Sequence, residues 1–251
     1  MLTSVQKIRL SVAIAVVALV VVIVVGYWAS QPKVDVPDFS QYPAGNERKE
    51  AFFGYFLPLV EQRNQEILQT RERVKEWSER ADSLSSGEKR DLQELGSRLN
   101  ISEFDPQNET HWNLLLRRLD KVPPSLALAQ AANESAWGTS RFSLEGYNYF
   151  GQWCFTKGCG IVPSSRDAGK THEVASFGTP KQSVESYMQN LNRHNAYKDL
   201  RLIRERLRDQ GEPITGVALA AGLEQYSERG EEYIKELRSM IRYNELDQHD
   251  Q

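Results

Sequence analysis

The sequence predicts a mainly helical protein: a helical domain with a small non-helical lobe, preceded by a charged helical brace and an N-terminal membrane-spanning helix. Three observations predict it. An uncharged apolar run extends from Leu10 to Ala29. From Asn46 onwards apolar residues recur at helical spacing in almost every segment. The long stretch that lacks such a period, residues 137–163, is rich in glycine and aromatic side chains and lies inside the helical part.

Composition narrows the chemistry before any motif is read. The 251 residues carry 31 Lys and Arg against 34 Asp and Glu, a net charge of −3. Neutralising phosphates needs a basic excess, so nucleic acid is disfavoured as a partner. Two cysteines and four scattered histidines, with no HExxH or CxxC, give no Cys/His metal framework. No metal site and no cofactor is expected.

The elements follow in order. Residues 10–29 number twenty, and at about 1.5 Å per residue they span a hydrocarbon core of roughly 30 Å. A cleavable signal peptide has an apolar region of only about 7–15 residues. Tyr27 and Trp28 stand at the far end, as in an aromatic belt, and Lys7 and Arg9 on the near side hold the N-terminus in the cytoplasm. Residues 1–30 therefore read as a single-pass signal anchor that places everything from Ser30 on across the membrane. Cleavage after Gly26 is the competing reading, and it exports the same domain. Residues 31–45, with three prolines and no helical period, form a linker.

Residues 46–122 form the brace. The stretch from Asn46 to Lys121 holds 13 basic and 15 acidic residues, a density that suits one-sided, solvated helices. Phe53, Val60, Ile67 and Val74 recur every seven residues, widened by Phe56, Leu57 and Trp77, and predict one long helix from Asn46 to Leu84. Ser85 to Glu88 matches a capping box and opens a second helix bearing Leu92, Leu95 and Leu99. A third follows Asp105-Pro106 with Trp112, Leu115, Leu116 and Leu119. Such stripes are usually core contacts, so the brace packs on the main domain; a surface for a protein partner is the alternative.

The main domain, residues 123–251, begins after Pro123-Pro124. Ser125 can cap a helix that runs to Gly138 with apolar residues on nearly all sides, which predicts burial. Its polar groups are Gln130, Asn133, Glu134 and Ser135. Burial raises the pKa of a carboxyl, and a carboxyl still protonated near neutral pH is suited to protonating a leaving group. Glu134 is thus either a hydrogen-bonded core residue or an acid. The aromatic loop that follows favours the second reading, because Tyr and Trp faces cover sugar rings while their edges hydrogen-bond. Helices are then expected over Lys181–Tyr197, Leu200–Leu207, Val217–Leu223 and Glu231–Ile241. Cys154 and Cys159, close in sequence on the exported side, favour a disulfide over a reactive thiol.

The run from Leu126 to Gly138, LALAQAANESAWG, followed by Asn148-Tyr149-Phe150-Gly151, resembles the glucosaminidases of glycoside hydrolase family 73, and within them the Bax-type membrane proteins. Weaker matches extend through Phe177–Ser183, Val184, Tyr187, Leu191–Tyr197, Gly222-Leu223, Tyr226 and Tyr233. The resemblance implies a lysozyme-like helical fold with a small β lobe that cleaves β-1,4 bonds of peptidoglycan glycan strands, in the bacterial periplasm on the inner membrane. It places the general acid at Glu134. It leaves Glu173 as the best placed second carboxylate, with Asp167 and Glu145 as rivals and Glu185 as a solvated helix residue. Tyr226 matches an active-site tyrosine, although the following Ser227-Glu228-Arg229 departs from the usual Ala-Thr-Asp. Substrate contacts are expected from Gln130, Trp137, Asn148, Phe150 and Trp153. A binding module that no longer cuts, with the brace recruiting other wall proteins, and a wall amidase remain the alternatives; the amidase would want a metal ligand set.

Overall fold

The computed structural model describes residues 19–20, 36–164, 166 and 169–250. Most of the expected anchor and Asp167 lie outside them; Leu19 and Val20 are helical. Among the described residues no helix is long and apolar enough to cross a membrane.

From Pro37 onwards the chain folds as one unit, mainly helical with a small antiparallel sheet. Helix α1, Asn46–Glu79, is the long brace helix, and α2, Ser86–Arg98, follows it through the capping box, in which Ser85 Oγ accepts from Glu88 N and Glu88 accepts from Ser85 N. Helix α3 is Glu109–Arg118. The first helix ends five residues short of the expected Leu84: Arg80 leaves helical geometry, and residues 81–83 make a 3-10 turn into the Ser85 cap.

The stripe on α1 also differs from the heptad reading. Its buried residues are Phe52, Phe56, Val60, Asn64, Ile67, Arg71, Val74 and Trp77, and Phe53 is only half-buried. The cause is a second partner. Phe39, from the segment preceding α1, packs on Phe52 and Phe56 at ring-centroid distances of 5.1 and 6.2 Å and turns the apolar face towards itself.

Helix α4, Pro124–Ser135, is the centre of the domain and is buried on every side through its first nine residues, as its composition demands. It packs against α1, against α8 (Gly216–Leu219), α9 (Glu231–Tyr243) and the turn Leu246–His249. Its first amide is capped from afar: Ser125 N and Oγ donate to Asp250 at 3.0 and 2.6 Å, and Gly216 N donates to the same carboxylate at 2.8 Å. A side chain at Gly216 would meet Ser125 Oγ at 2.1 Å, so that approach requires glycine.

The glycine-rich stretch is not wholly irregular. It contains helix α5, Arg141–Gly146, which Ser140 caps and Tyr147 ends in the left-handed region; the cap and six residues outweigh the absence of a visible period. Strands β1 (Trp153–Cys154), β2 (Gly160–Ile161) and β3 (Glu173–Ala175) form the sheet, with β3 between the other two and Cys154 opposite Glu173. Helices α6, Pro180–Arg193, and α7, Lys198–Asp209, complete the helical layer.

Four buried arginines tie helix ends together. Arg118 Nη1 donates to the carbonyls of Leu99 and Asn100 at the end of α2, and Arg201 Nη1 to those of Leu191 and His194 at the end of α6. Arg71 reaches the carbonyls of Leu116 and Leu119 at the end of α3, and Arg204 those of Arg117, Asp120 and Lys121. The last carbonyls of a helix have no partner of their own, and a guanidinium with five donors satisfies several at once.

Candidate active site

The site starts where α4 stops. Ala136, Trp137 and Gly138 follow one another with φ of 50°, 60° and 76°, and the amides of Ala136 and Trp137 both bond back to the Ala132 carbonyl. Two non-glycine residues in the left-handed region cost roughly 1–3 kcal/mol each, so packing must hold them. It does: the Trp137 ring lies 5.2 Å from Phe53 and 5.9 Å from Phe52, and Gly138 passes so close to Phe39 that a Cβ would stand 2.4 Å from its ring. The abrupt turn leaves Glu134 in the last turn of a buried helix, half-exposed at its mouth.

The two oxygens of Glu134 have different surroundings. Oε1 accepts from the Tyr233 hydroxyl at 2.8 Å and from Asn133 Nδ2 at a marginal 3.5 Å. Oε2 lies against Gly151, whose missing side chain would begin 3.3 Å from it and which is itself exposed. Behind the acid runs a buried polar chain. Gln130 Nε2 donates to the Tyr233 oxygen at 2.9 Å, and the Tyr187 hydroxyl donates to Gln130 Oε1 at 2.5 Å. Tyr187 stacks on Phe150 at 4.0 Å, Tyr226 stacks on Tyr233 at 5.6 Å, and the Tyr226 hydroxyl donates to the Phe150 carbonyl at 2.8 Å.

Burial raises the Glu134 carboxyl above its ordinary range, and this outweighs the hydrogen bonds from Tyr233 and Asn133, which favour the ionised form. Burial likewise holds Tyr187, Tyr226 and Tyr233 well above the usual phenol range, so they stay protonated.

The other expected site residues separate into groups. Gln130, Asn148 and Phe150 are all buried and face inwards. Asn148 holds the loop together: its amide donates to the Gln152 and Ala175 carbonyls, and its oxygen accepts from Phe150 N and Gln152 N. Trp137 packs on α1. Trp153 is 60% exposed and stacks on His172 at 4.4 Å, and Phe155, two residues on, is 74% exposed. Glu173 is buried in β3, and its carboxylate accepts from Gly158 N at 3.0 Å and Gly160 N at 2.9 Å. Those two amides set its carboxyl below the ordinary range and bind it to the turn that carries the disulfide between Cys154 and Cys159. The sulfurs and this carboxylate converge within 4.8 Å, but sulfurs bonded to each other are poor metal ligands. Glu145 pairs with Arg141 on the surface, and Glu185 with Lys181.

Tyr187 and Tyr233, which the sequence offered only as weak matches, turn out to be the groups that link Gln130 to Glu134. The available signal was Gln130 itself, since an amide in so apolar a helix needs polar partners from elsewhere.

The family described as glucosaminidase, mannosyl-glycoprotein endo-beta-N-acetylglucosaminidase, matches residues 111–246. The chain belongs to the glucosaminidase family. It is 32% identical to Protein bax of Escherichia coli (strain K12) over 213 residues, which covers 84% of this chain and 74% of that one. The catalytic domain of the autolysin Auto from Listeria monocytogenes is similar with a TM-score of 0.45 at 16% identity, covering 84% of this chain and 92% of that structure. Membership of the family makes the protein an enzyme of the glycoside hydrolase type.

Proposed function

We propose that the protein is a membrane-anchored, periplasmic peptidoglycan hydrolase with a lysozyme-like domain, which cleaves β-1,4 glycosidic bonds of the glycan strand at N-acetylglucosamine. Glu134 is the general acid. The observation that carries this reading is the asymmetry of its carboxyl: buried enough to remain protonated above the ordinary range, with one oxygen engaged by Tyr233 and the other beside exposed Gly151. A sugar ring entering over Gly151 brings its glycosidic oxygen to Oε2, which gives up its proton as the bond breaks and the ring takes on oxocarbenium character. Trp153 and Phe155 supply apolar faces for neighbouring sugars. Tyr226 holds the Phe150 carbonyl and thereby the loop that carries Gly151.

The second half of the reaction needs a base, a nucleophile or the sugar's own N-acetyl group. Glu173, with both oxygens on backbone amides, supports the third route better than the first two. Digestion of purified sacculi by the full-length chain, with new ends identified by mass spectrometry, tests the function. Cleavage that yields reducing N-acetylglucosamine, reduced about 10²- to 10⁴-fold by Glu134→Gln, is expected. Undiminished cleavage by that variant rejects Glu134 as the acid. A wild-type chain that retains sacculi without cutting them is a binding module.

A further inference from the structure

The buried chain Tyr187–Gln130–Tyr233–Glu134 has a direction, and the direction follows from counting protons. A phenol has one hydrogen to donate; an amide has a donor end and an acceptor end. Among the described residues Tyr187 receives no hydrogen bond, and its own hydroxyl donates to Gln130 Oε1. Rotating the Gln130 amide by half a turn would place two donors face to face unless the Tyr187 hydrogen found another acceptor, and a buried donor without a partner is costly. The amide is therefore fixed with Nε2 towards Tyr233. The Tyr233 oxygen, already receiving that hydrogen, spends its own on Glu134 Oε1.

We infer that Gln130 is a positioning residue for the acid: by donating to the Tyr233 phenol, it commits that phenol's proton to Glu134 Oε1 and leaves Oε2, beside Gly151, to carry the proton that is transferred. The inference rests on Glu134 as general acid. With the amide reversed, its oxygen would take the Tyr233 hydrogen, and protonated Glu134 could turn its own hydrogen inwards, Oε1–H to the Tyr233 oxygen, where no substrate reaches it. The inward state stabilises the neutral acid, so the proton is held more tightly and in the wrong place. The remaining charged groups facing Glu134 are Glu236 and Arg229, which pair with each other at 2.6 Å, and its other titratable neighbours are Tyr197 and Tyr226. Among the described residues none of them is hydrogen-bonded to Gln130, whose side-chain partners are Tyr233 and Tyr187.

The test is steady-state cleavage of sacculi between pH 4 and 9 by the full-length wild type, Gln130→Met and Tyr187→Phe. For Tyr187→Phe, which keeps the ring stacked on Phe150 but frees the amide to turn, kcat is expected to fall about tenfold at unchanged KM, with the alkaline limb of activity moved up by about 0.5–1 pH unit, within the reach of one charge-assisted hydrogen bond. Gln130→Met leaves the Tyr233 hydrogen no acceptor but Glu134 and only withdraws the donor that polarises the phenol, so it should move the same limb in the same direction by less. A purely structural role leaves the limb in place, so an unmoved limb in both variants overturns the inference. If Gln130→Met does not fold, Tyr187→Phe alone decides in the same way. Failure of the wild type to cleave would instead reject the hydrolase reading, and a Glu134→Gln variant that cleaves normally would reject the acid on which the inference rests.

Discussion

Asp120→Asn should be among the most destabilising conservative changes in the protein. The side chain is 2% exposed and lies just after α3. Arg208 grips both of its oxygens, Nε at 2.7 Å from Oδ2, while Arg71 Nη1 and Arg204 Nε stand 3.9 Å from Oδ2. Arg204 is itself wholly buried and holds three backbone carbonyls, two of them in the segment that leads into α4. Asparagine keeps the shape but removes the buried negative charge that stands among three guanidiniums. Leaving buried cations uncompensated costs about 3–5 kcal/mol. At about 2–4 °C per kcal/mol for a unit of this size, Tm should drop by roughly 6–20 °C. Burial works to raise the Asp120 carboxyl, but the combined pull of Arg204, Arg208 and Arg71 outweighs it and holds it below the ordinary range. Its stabilisation is thus present above the ordinary carboxylate pKa and lost as pH falls through the depressed value. Thermal unfolding followed by circular dichroism should show the wild type and variant far apart at pH 7 and converging towards pH 3. A gap under about 2 °C at pH 7, or one that stays constant with pH, would refute the argument that this charge anchors the arginines.

Two further outcomes follow from the site. Because burial raises the Glu134 carboxyl, that group's contribution to stability is full below the ordinary carboxylate pKa and declines as pH rises through the raised value, so Glu134→Gln should melt above the wild type at pH 8 and level with it at pH 4, as read by calorimetry. Glu173→Gln removes an acceptor from the Gly158 and Gly160 amides; if Glu173 only holds that turn, KM for sacculi should rise severalfold with kcat nearly kept, whereas a base or nucleophile would lose kcat by about 10²-fold or more.

Much of the helical frame was legible because it obeys local rules. Ser85 and Glu88 announce their capping box in the sequence, and the all-round apolar surface of α4 announces its burial. The short helix α5 was not legible, since six residues are too few to show a period. Nor was the role of Arg71, Arg118, Arg201 and Arg204. In a chain with so many surface charges, nothing local distinguishes an arginine bound for solvent from one that will cap another helix. That depends on which carbonyls the tertiary fold leaves bare. The same reason separates Glu134 from Gln130 in legibility: Glu134 stood out as a candidate from its odd position in an apolar helix, but whether Gln130 faces outwards or inwards depends on tyrosines 57 and 103 residues away.

The brace bears directly on this site. The family match begins at residue 111, yet Phe52 and Phe53 of α1 pack on Trp137 three residues beyond Glu134, and Phe56 lies 4.5 Å from Tyr149 beside Phe150. Trp137 and Ala136 sit in a backbone region that L-residues avoid, and a turn of that kind persists only where neighbours hold it. Straightening it would extend α4 and leave Glu134 inside a longer helix instead of in its last turn. Lys49 adds to the hold, with Nζ 5.4 Å from the Trp137 ring, 4.6 Å from that of Tyr243, and hydrogen-bonded to Asn244 at 2.9 Å. One residue of the brace therefore joins the turn after the acid to the end of α9, the helix that supplies Tyr233. The charged N-terminal helix thus bears on the strained turn that follows Glu134 and, through Lys49, on the end of the helix that carries Tyr233, the hydrogen-bond partner of Glu134.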